Sequence, residues 1–119
     1  MGRKVQGIVA EHLRAVNSFD TDAIVATFAP DAYVNDARRE IVGRAAIRRW
    51  VEQEIVGDHV TMEVLSVVEH YGDTIVQVRY EGDYDKTGLP DGLVMSNYFG
   101  LRDGMIVSLG VIGNQPSPH

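Results

Sequence analysis

The chain has 119 residues, of which 45% are hydrophobic, and it carries a formal net charge of -6 with no cysteine. This size and composition predict one domain with a single core. They exclude disulfides and thiolate chemistry and argue against a nucleic-acid or anionic-membrane partner. No apolar run approaches the roughly 20 residues of a membrane span, and no secretory signal is recognisable. We therefore expect a cytoplasmic protein.

The first third of the chain has the periodicity of helices. Apolar residues recur at helical spacing over 5–16, and His12 lies within this stripe. Asp20 is a favourable N-cap for a second helix over 21–28. A third helix is predicted over about 44–55, where glycines mark both ends.

The second half of the chain alternates between apolar and polar residues and is rich in β-branched side chains. This pattern predicts four strands, over 60–69, 73–84, 93–102 and 105–112. Helices followed by a run of antiparallel strands make an α+β domain. We expect it to occupy 1–113, with a flexible tail at 114–119.

Asp36 is the most informative polar residue. If it ends a strand, Ala32, Val34 and Asp36 share one face, because side chains alternate with period two. A carboxylate on an apolar face is either a costly burial or a functional group. As a functional group it would be a general base, and an apolar pocket would raise its pKa. The alternative is a strand-end aspartate satisfied by backbone amides, Arg38 or Arg39.

His12 and Asn97 are the other candidate catalytic residues. His12 would donate a hydrogen bond to a developing enolate or pair with Asp36; the alternative is a core histidine bonded to one backbone carbonyl or carboxylate. Asn97 shares a strand face with Met95 and Phe99, so its amide is unusual for a core position. An amide can donate to a ligand oxygen at any ordinary pH. The alternative is an amide that satisfies a bulge or a neighbouring strand.

Aromatic and methionine side chains are candidates to line a pocket for a flat apolar ligand, with core packing as the alternative. The residues that we assign to substrate binding are Tyr33, Trp50, Met62, Met95 and Phe99, and Tyr80 and Tyr84 have the same character. The histidines lack metal-ligand spacing. The sequence also lacks a glycine-rich phosphate loop and a serine nucleophile elbow. We therefore predict no metal and no cofactor.

Two segments and the order of the elements resemble a known superfamily. The segments are Phe28–Asp36 (FAPDAYVND) and Gly43–Trp50 (GRAAIRRW). They are similar to the nuclear transport factor 2-like (NTF2-like) proteins. These include SnoaL-type polyketide cyclases, ketosteroid isomerase, scytalone dehydratase and limonene epoxide hydrolase. The resemblance implies a cone-shaped fold with three N-terminal helices on a curved, mostly antiparallel sheet.

The same resemblance implies a homodimer that forms through the outer face of the sheet. The strand residues that we expect on that face are Val94, Ser96, Tyr98, Val107, Leu109 and Val111.

Within the superfamily, the N-terminal half is most similar to ketosteroid isomerase. Asp36 falls where that enzyme carries its aspartate general base. His12 falls at its oxyanion-hole tyrosine, and Asn97 falls at its protonated aspartic acid. This chain therefore has the same residue type as that enzyme at the position of the base, and different residue types at the positions of both oxyanion-hole donors.

The implied function is binding of a small hydrophobic molecule, with cofactor-free isomerase or cyclase chemistry on a carbonyl or enol compound. One alternative is a non-catalytic binding or dimerisation module. Another is a dehydratase or epoxide hydrolase of the same fold. Epoxide hydrolases of this fold activate water with an aspartate–arginine–aspartate set, and no second interior acid is obvious in this sequence.

Overall fold

The computed structural model describes residues 7–36, 39–70, 72–83 and 94–113. Its α-helices are α1 (Gly7–Asn17), α2 (Thr21–Ala26) and α3 (Arg44–Trp50), and a π-helical segment, Val51–Val56, continues α3. Its strands are β1 (Phe28–Asp36), β2 (Arg39–Val42), β3 (Thr61–His70), β4 (Asp73–Glu81), β5 (Val94–Arg102) and β6 (Met105–Gly113). The predicted tail at 114–119 lies outside the described residues, as does Tyr84. In the described ranges no helix is long and apolar enough to cross a membrane.

The six strands form one sheet in the order β2-β1-β6-β5-β4-β3. All neighbouring strands are antiparallel except β1 and β6, which are parallel. The α+β class is confirmed. The expectation of three N-terminal helices is only partly met, because α3 follows β1 and β2 in the chain. The four-residue strand β2 is too short for its periodicity to be recognised in the sequence.

The helices cover one face of the sheet, which we call the inner face. α1 contacts β3 and β6, and α3 contacts β1. Asn17 fixes the end of α1 to β3, since its side chain donates to the Met62 carbonyl at 3.1 Å and accepts from the Met62 amide at 2.8 Å. The largest fully buried side chains are Phe28, Phe99, Ile24, Ile47, Ile106 and Leu109.

Helix ends follow the sequence signals. The side chain of Asp20 caps α2 by accepting a hydrogen bond from the Ala23 amide at 3.1 Å, as predicted. Beyond Trp50 the helix changes to the π-helical pattern, in which an amide bonds to the carbonyl five residues earlier. The Gly57 amide, for example, donates to the Glu52 carbonyl at 2.9 Å. The predicted helix over 44–55 is therefore an α-helix for its first half and a π-helical segment for its second half.

On the outer face of the sheet, β6 carries different residues from those that the sequence pattern predicts. Leu109 and Val111, which we expected on the outer face, are buried on the inner face. A β-bulge in β6 between Ile106 and Ser108 inserts Val107 as an extra residue opposite β5. Because an extra residue reverses which side chains face inward, the later part of β6 points the other way.

Candidate active site

A cleft of about 160 Å³ opens at the end of the sheet where β1, β4 and β6 finish. The π-helical segment and the turn after it form the opposite wall. The lining residues are Asp36, Trp50, Glu54, Ile55, Asp58, Val60, Tyr80, Met95 and Val111. The cleft thus combines an aliphatic and aromatic wall with three carboxylates, a composition suited to a small apolar ligand with one or two polar atoms.

Asp36 is the last residue of β1 and lies on the same face as Ala32 and Val34, both fully buried. Its side chain is 19% exposed. Oδ2 accepts hydrogen bonds from the Trp50 indole Nε1 at 2.9 Å and from the Arg39 guanidinium at 2.8 Å. Within the described ranges, Oδ1 accepts no hydrogen bond. A carboxylate that is held by one oxygen and open at the other is placed to accept a proton.

Trp50 reaches Asp36 because it is the last residue of α3 and is buried with Ile47 on the helix face that covers β1. Its ring forms part of the cleft wall, while its N–H is given to the carboxylate. An indole combines a large apolar surface with one donor, which suits both tasks.

Arg39 joins Asp36 to a second acid. Its guanidinium also donates to Glu54, at 2.6 Å to Oε1 and 2.8 Å to Oε2. Hydrogen bonds to Glu54 and then to Asp36 raise the pKa of Arg39, so the cation is fixed between two carboxylates. The ion pair of Asp36 with Arg39 that the alternative interpretation anticipated is present, and Arg39 thereby connects two carboxylates of the cleft lining, Asp36 and Glu54.

Glu54 is a second acid of the cleft, and it was not among the residues predicted from the sequence. It belongs to the π-helical segment and lies four residues after Trp50. Residues at this spacing share a helix face, which is the signal that could have identified it. Asp58, in the turn that follows, adds a third carboxylate to the lining. With Arg39 as the one cation bonded to these groups in the described ranges, the cleft favours neutral or cationic ligands over anions.

Tyr80 and Asn97 form a buried polar pair beside the cleft. Tyr80 lines the cleft, and its hydroxyl donates to Asn97 Oδ1 at 3.3 Å. Asn97 is completely buried on the inner face of β5 and is not a lining residue. Its Nδ2 is a buried donor with no hydrogen-bond partner in the described part of the chain. Asn97 therefore borders the cleft through Tyr80.

His12 forms its hydrogen bond with Thr27, the C-cap residue of α2, and not with Asp36. Its Nδ1 lies 3.0 Å from Thr27 Oγ1. The Thr27 hydroxyl donates to the Ile24 carbonyl at 2.6 Å, so it can only accept from His12, which fixes the imidazole proton on Nδ1. The ring packs edge-on against Phe28 and Phe99, and burial lowers the pKa of His12 to about 4.

His12 is therefore a neutral core histidine near neutral pH. Across the described residues no hydrogen bond joins it to Asp36, and it does not line the cleft.

The residues assigned to substrate binding divide between three places. Trp50 and Met95 line the cleft. Met62 and Phe99 are buried in the core beside it, where Phe99 packs on His12. Tyr33 is 39% exposed on the outer face and takes no part in the cleft. Over the described ranges, no group of three or more potential ligands lies close enough to hold a metal ion.

Comparison with known proteins places this architecture in a family. The chain matches the model of the SnoaL-like domain over residues 9–109. A proposed polyketide cyclase from Sinorhizobium meliloti has a TM-score of 0.78 at 28% identity, over 87% of this chain and 92% of that chain. No curated protein matches the chain in sequence.

Two further structures extend the comparison. SalBIII is described as an epoxide hydrolase/cyclase-like enzyme in pyran ring formation in salinomycin. It has a TM-score of 0.74 at 27% identity, over 91% of this chain and 88% of its own. A proposed ketosteroid isomerase from Kribbella flavida DSM 17836 has a TM-score of 0.74 at 17% identity, over 94% and 81% of the two chains, which shows the fold alone. The fold is NTF2-like, and the chain belongs to the SnoaL-like domain family.

Proposed function

We propose that this protein binds a small apolar carbonyl or enol compound in the cleft and that Asp36 is the general base of a cofactor-free isomerase- or cyclase-type reaction. The observation that carries the proposal is the anchoring of Asp36. Trp50 and Arg39 hold Oδ2, and no described residue donates a hydrogen bond to Oδ1, which would accept the proton of the substrate.

The chemistry needs one base and an apolar enclosure. Asp36 Oδ1 would take a proton from the carbon next to the carbonyl, and the electron pair of that C–H bond would move onto the carbonyl oxygen. Return of the proton to another carbon completes an isomerisation. In a cyclisation the enolate carbon attacks a second carbonyl, whose oxygen becomes an alkoxide and receives the proton from Asp36. The aliphatic side of the cleft, with Ile55, Val60 and Val111, would limit access of water to the enolate. The likeness to a proposed polyketide cyclase agrees with this chemistry.

Opening of an epoxide is the second candidate, and one observation favours it. Asp36, Arg39 and Glu54 form a carboxylate–guanidinium–carboxylate set. One carboxylate of such a set would take a proton from water or from a substrate hydroxyl, whose oxygen then attacks the epoxide carbon. The C–O bond breaks, and the other carboxyl group of the set, in its protonated form, would give the ring oxygen its proton. The likeness to SalBIII supports this candidate.

We also propose that the protein forms a homodimer through the outer face of the sheet. The row Val68, Ile75 and Tyr98 runs across β3, β4 and β5 on that face. Val68 and Tyr98 are exposed there, as is Ile112 on β6. Exposed apolar side chains in adjacent strands are suited to an interface between two copies.

Proton exchange in a simple ketone tests the proposed base. 1-Indanone in D₂O is incubated with the protein, and loss of its C2 proton signal is followed by NMR. General-base catalysis contributes about 10²–10⁴-fold, so Asp36→Asn is expected to slow the protein-dependent exchange by at least about 100-fold. Asp58→Asn, which changes another carboxylate of the cleft, is the matched control and is expected to keep most of the rate.

The outcomes separate the candidate functions. Exchange that depends on Asp36 supports the isomerase- or cyclase-type reaction. Binding of 1-indanone without exchange contradicts it and favours a non-catalytic binding module. Opening of cyclohexene oxide that is lost in both Asp36→Asn and Glu54→Gln, without ketone exchange, selects the second candidate.

A further inference from the structure

The unpaired amide nitrogen of Asn97 is the least explained polar group beside the cleft. Asn97 is completely buried, and its Nδ2 has no hydrogen-bond partner among the described residues. A buried donor without a partner is unfavourable. Such a group needs an explanation, and a second arrangement of the same residues provides one here.

A half-turn of the Asn97 amide provides that second arrangement. The oxygen and nitrogen of an amide are nearly equal in size, so the rotation exchanges their positions with little change in packing. Oδ1 now lies 3.3 Å from the Tyr80 oxygen and accepts its proton. After the rotation, Nδ2 would occupy this position and donate to the Tyr80 oxygen. The hydroxyl proton of Tyr80 could then be donated to another acceptor.

The two arrangements differ in the groups that need a further partner. In the first, Nδ2 lacks an acceptor; in the second, Oδ1 loses its donor and the Tyr80 proton needs an acceptor other than Asn97. Each arrangement keeps one hydrogen bond between Tyr80 and Asn97. A new acceptor for the Tyr80 proton can therefore decide which arrangement is populated. Tyr80 lines the same cleft as Asp36, so a ligand held against the base shares this cleft with the Tyr80 side chain.

We propose that Tyr80 donates a hydrogen bond to the substrate oxygen and that Asn97 is a positioning residue whose Nδ2 holds the Tyr80 oxygen while it does so. This inference rests on the proposed function and identifies the group that binds the carbonyl or enol oxygen. A donor at that oxygen stabilises the charge that develops when Asp36 removes the proton. It also gives the cleft a preference for ligands with an oxygen acceptor over hydrocarbons of the same shape.

The experiment measures this preference directly. 1-Indanone and indane share one carbon frame, and only the ketone has an oxygen. Trp50 is the single tryptophan of the chain, so its indole N–H gives one isolated NMR signal inside the cleft. The dissociation constants of both ligands are measured from the movement of this signal. Their ratio then reports the ketone preference without requiring any catalytic activity.

The substitution Tyr80→Phe removes the hydroxyl and keeps the ring. We expect it to raise the dissociation constant of 1-indanone by about threefold to tenfold, which corresponds to one net hydrogen bond. The dissociation constant of indane should remain almost unchanged. Tyr33→Phe removes a tyrosine hydroxyl from the outer face and is the matched control, with no expected change in the ratio. An unchanged ratio in Tyr80→Phe would overturn the inference.

The substitution Asn97→Asp tests the positioning role through a pH profile. A protonated carboxyl can donate to the Tyr80 oxygen as Nδ2 does, whereas a carboxylate can only accept the Tyr80 proton. We expect the ketone preference to persist where the introduced carboxyl is protonated and to be lost where it is ionised, with indane bound equally in both ranges. Equal weakening of both ligands at every pH would mean that Asn97 is only structural.

The same titrations separate this inference from the proposed function. If neither ligand moves the Trp50 signal in the unsubstituted protein, the proposed binding function fails. If both ligands bind and Tyr80→Phe leaves their ratio unchanged, the binding function stands and the role of Tyr80 is wrong.

Discussion

Trp50 donates its indole N–H to Asp36 Oδ2 at 2.9 Å and thereby joins the end of α3 to the end of β1. Both residues line the cleft, so one hydrogen bond fixes a wall of the cleft and its candidate base together. A hydrogen bond to an ionised carboxylate is stronger than one between neutral groups.

Trp50→Phe tests how much this hydrogen bond contributes to the free energy of unfolding. The phenyl ring keeps most of the apolar burial but cannot donate, so we expect the free energy of unfolding to fall by about 1–3 kcal/mol. Urea denaturation of Trp50→Phe, Asp36→Ala and the double variant forms a thermodynamic cycle, since alanine at position 36 leaves no acceptor for the indole N–H. We expect a coupling energy of about 1 kcal/mol between the two sites. Strictly additive effects would show that the contact contributes nothing.

His12 is expected to make the fold sensitive to acid. Burial lowers the pKa of His12 from 6.5 to about 4 in the folded protein. Between these values the unfolded chain binds a proton that the native protein does not. The free energy of unfolding therefore falls as the pH falls from 6.5 towards 4. The loss attributable to His12 is about 2–3 kcal/mol near about pH 4.5.

Urea denaturation at neutral and acidic pH checks this expectation. His12→Gln should reduce the pH dependence of stability by that amount, while His59→Gln, at an exposed histidine, should preserve it. If His12→Gln and the unsubstituted protein lose the same stability on acidification, His12 is not buried in its neutral form.

We expect Arg39 to influence the arrangement of Asp36 and Trp50 in the cleft more than the free energy of unfolding. Its side chain is 54% exposed and that of Glu54 is 37% exposed, so the ion pairs are screened by solvent. We expect Arg39→Gln to cost less than about 1 kcal/mol. It should nevertheless move the Trp50 indole NMR signal, because Asp36 loses one of the two donors that hold Oδ2.

Arg79→Gln is the matched control for Arg39. Arg79 pairs with Glu63 at 2.8 Å on the outer face, and its side chain is 41% exposed. We expect a similar small loss of stability and no movement of the Trp50 signal. Equal effects of both substitutions on that signal would contradict a specific contact of Arg39 with the cleft.

The proposed homodimer is tested at Tyr98. Tyr98 is 43% exposed on the outer face, next to Ile75. A buried charge without a partner is unfavourable at an interface, so Tyr98→Glu should convert the dimer to monomer in sedimentation equilibrium. Val42→Glu, on the edge strand β2, should leave the assembly intact. A monomer in the unsubstituted protein at micromolar concentration would contradict the proposal.

Much of the fold can be predicted from the sequence because its signals are local. The strands β3 to β6 follow the alternation of β-branched residues, and Asp20 caps α2 as its side-chain chemistry favours. The common face of Ala32, Val34 and Asp36 follows from the same alternation.

The features that were not predicted depend on contacts between distant segments. The bulge at Val107 is set by pairing with β5, and it turns Val111 into the cleft. The bonds from Arg39 to Glu54 join β2 to the π-helical segment. His12 bonds to Thr27, 15 residues along the chain, and local periodicity does not encode this contact. A single sequence therefore indicates the candidate base but not the groups that surround it.

Titration of the Trp50 indole NMR signal with 1-indanone tests the central claim most directly, because Trp50 is bonded to Asp36 within the cleft. We predict a saturable movement of this signal in the unsubstituted protein. The movement should be lost in Val111→Phe, which fills the cleft and whose folding is verified by circular dichroism. A signal that does not move, or that moves equally in Val111→Phe, would contradict a ligand site at Asp36.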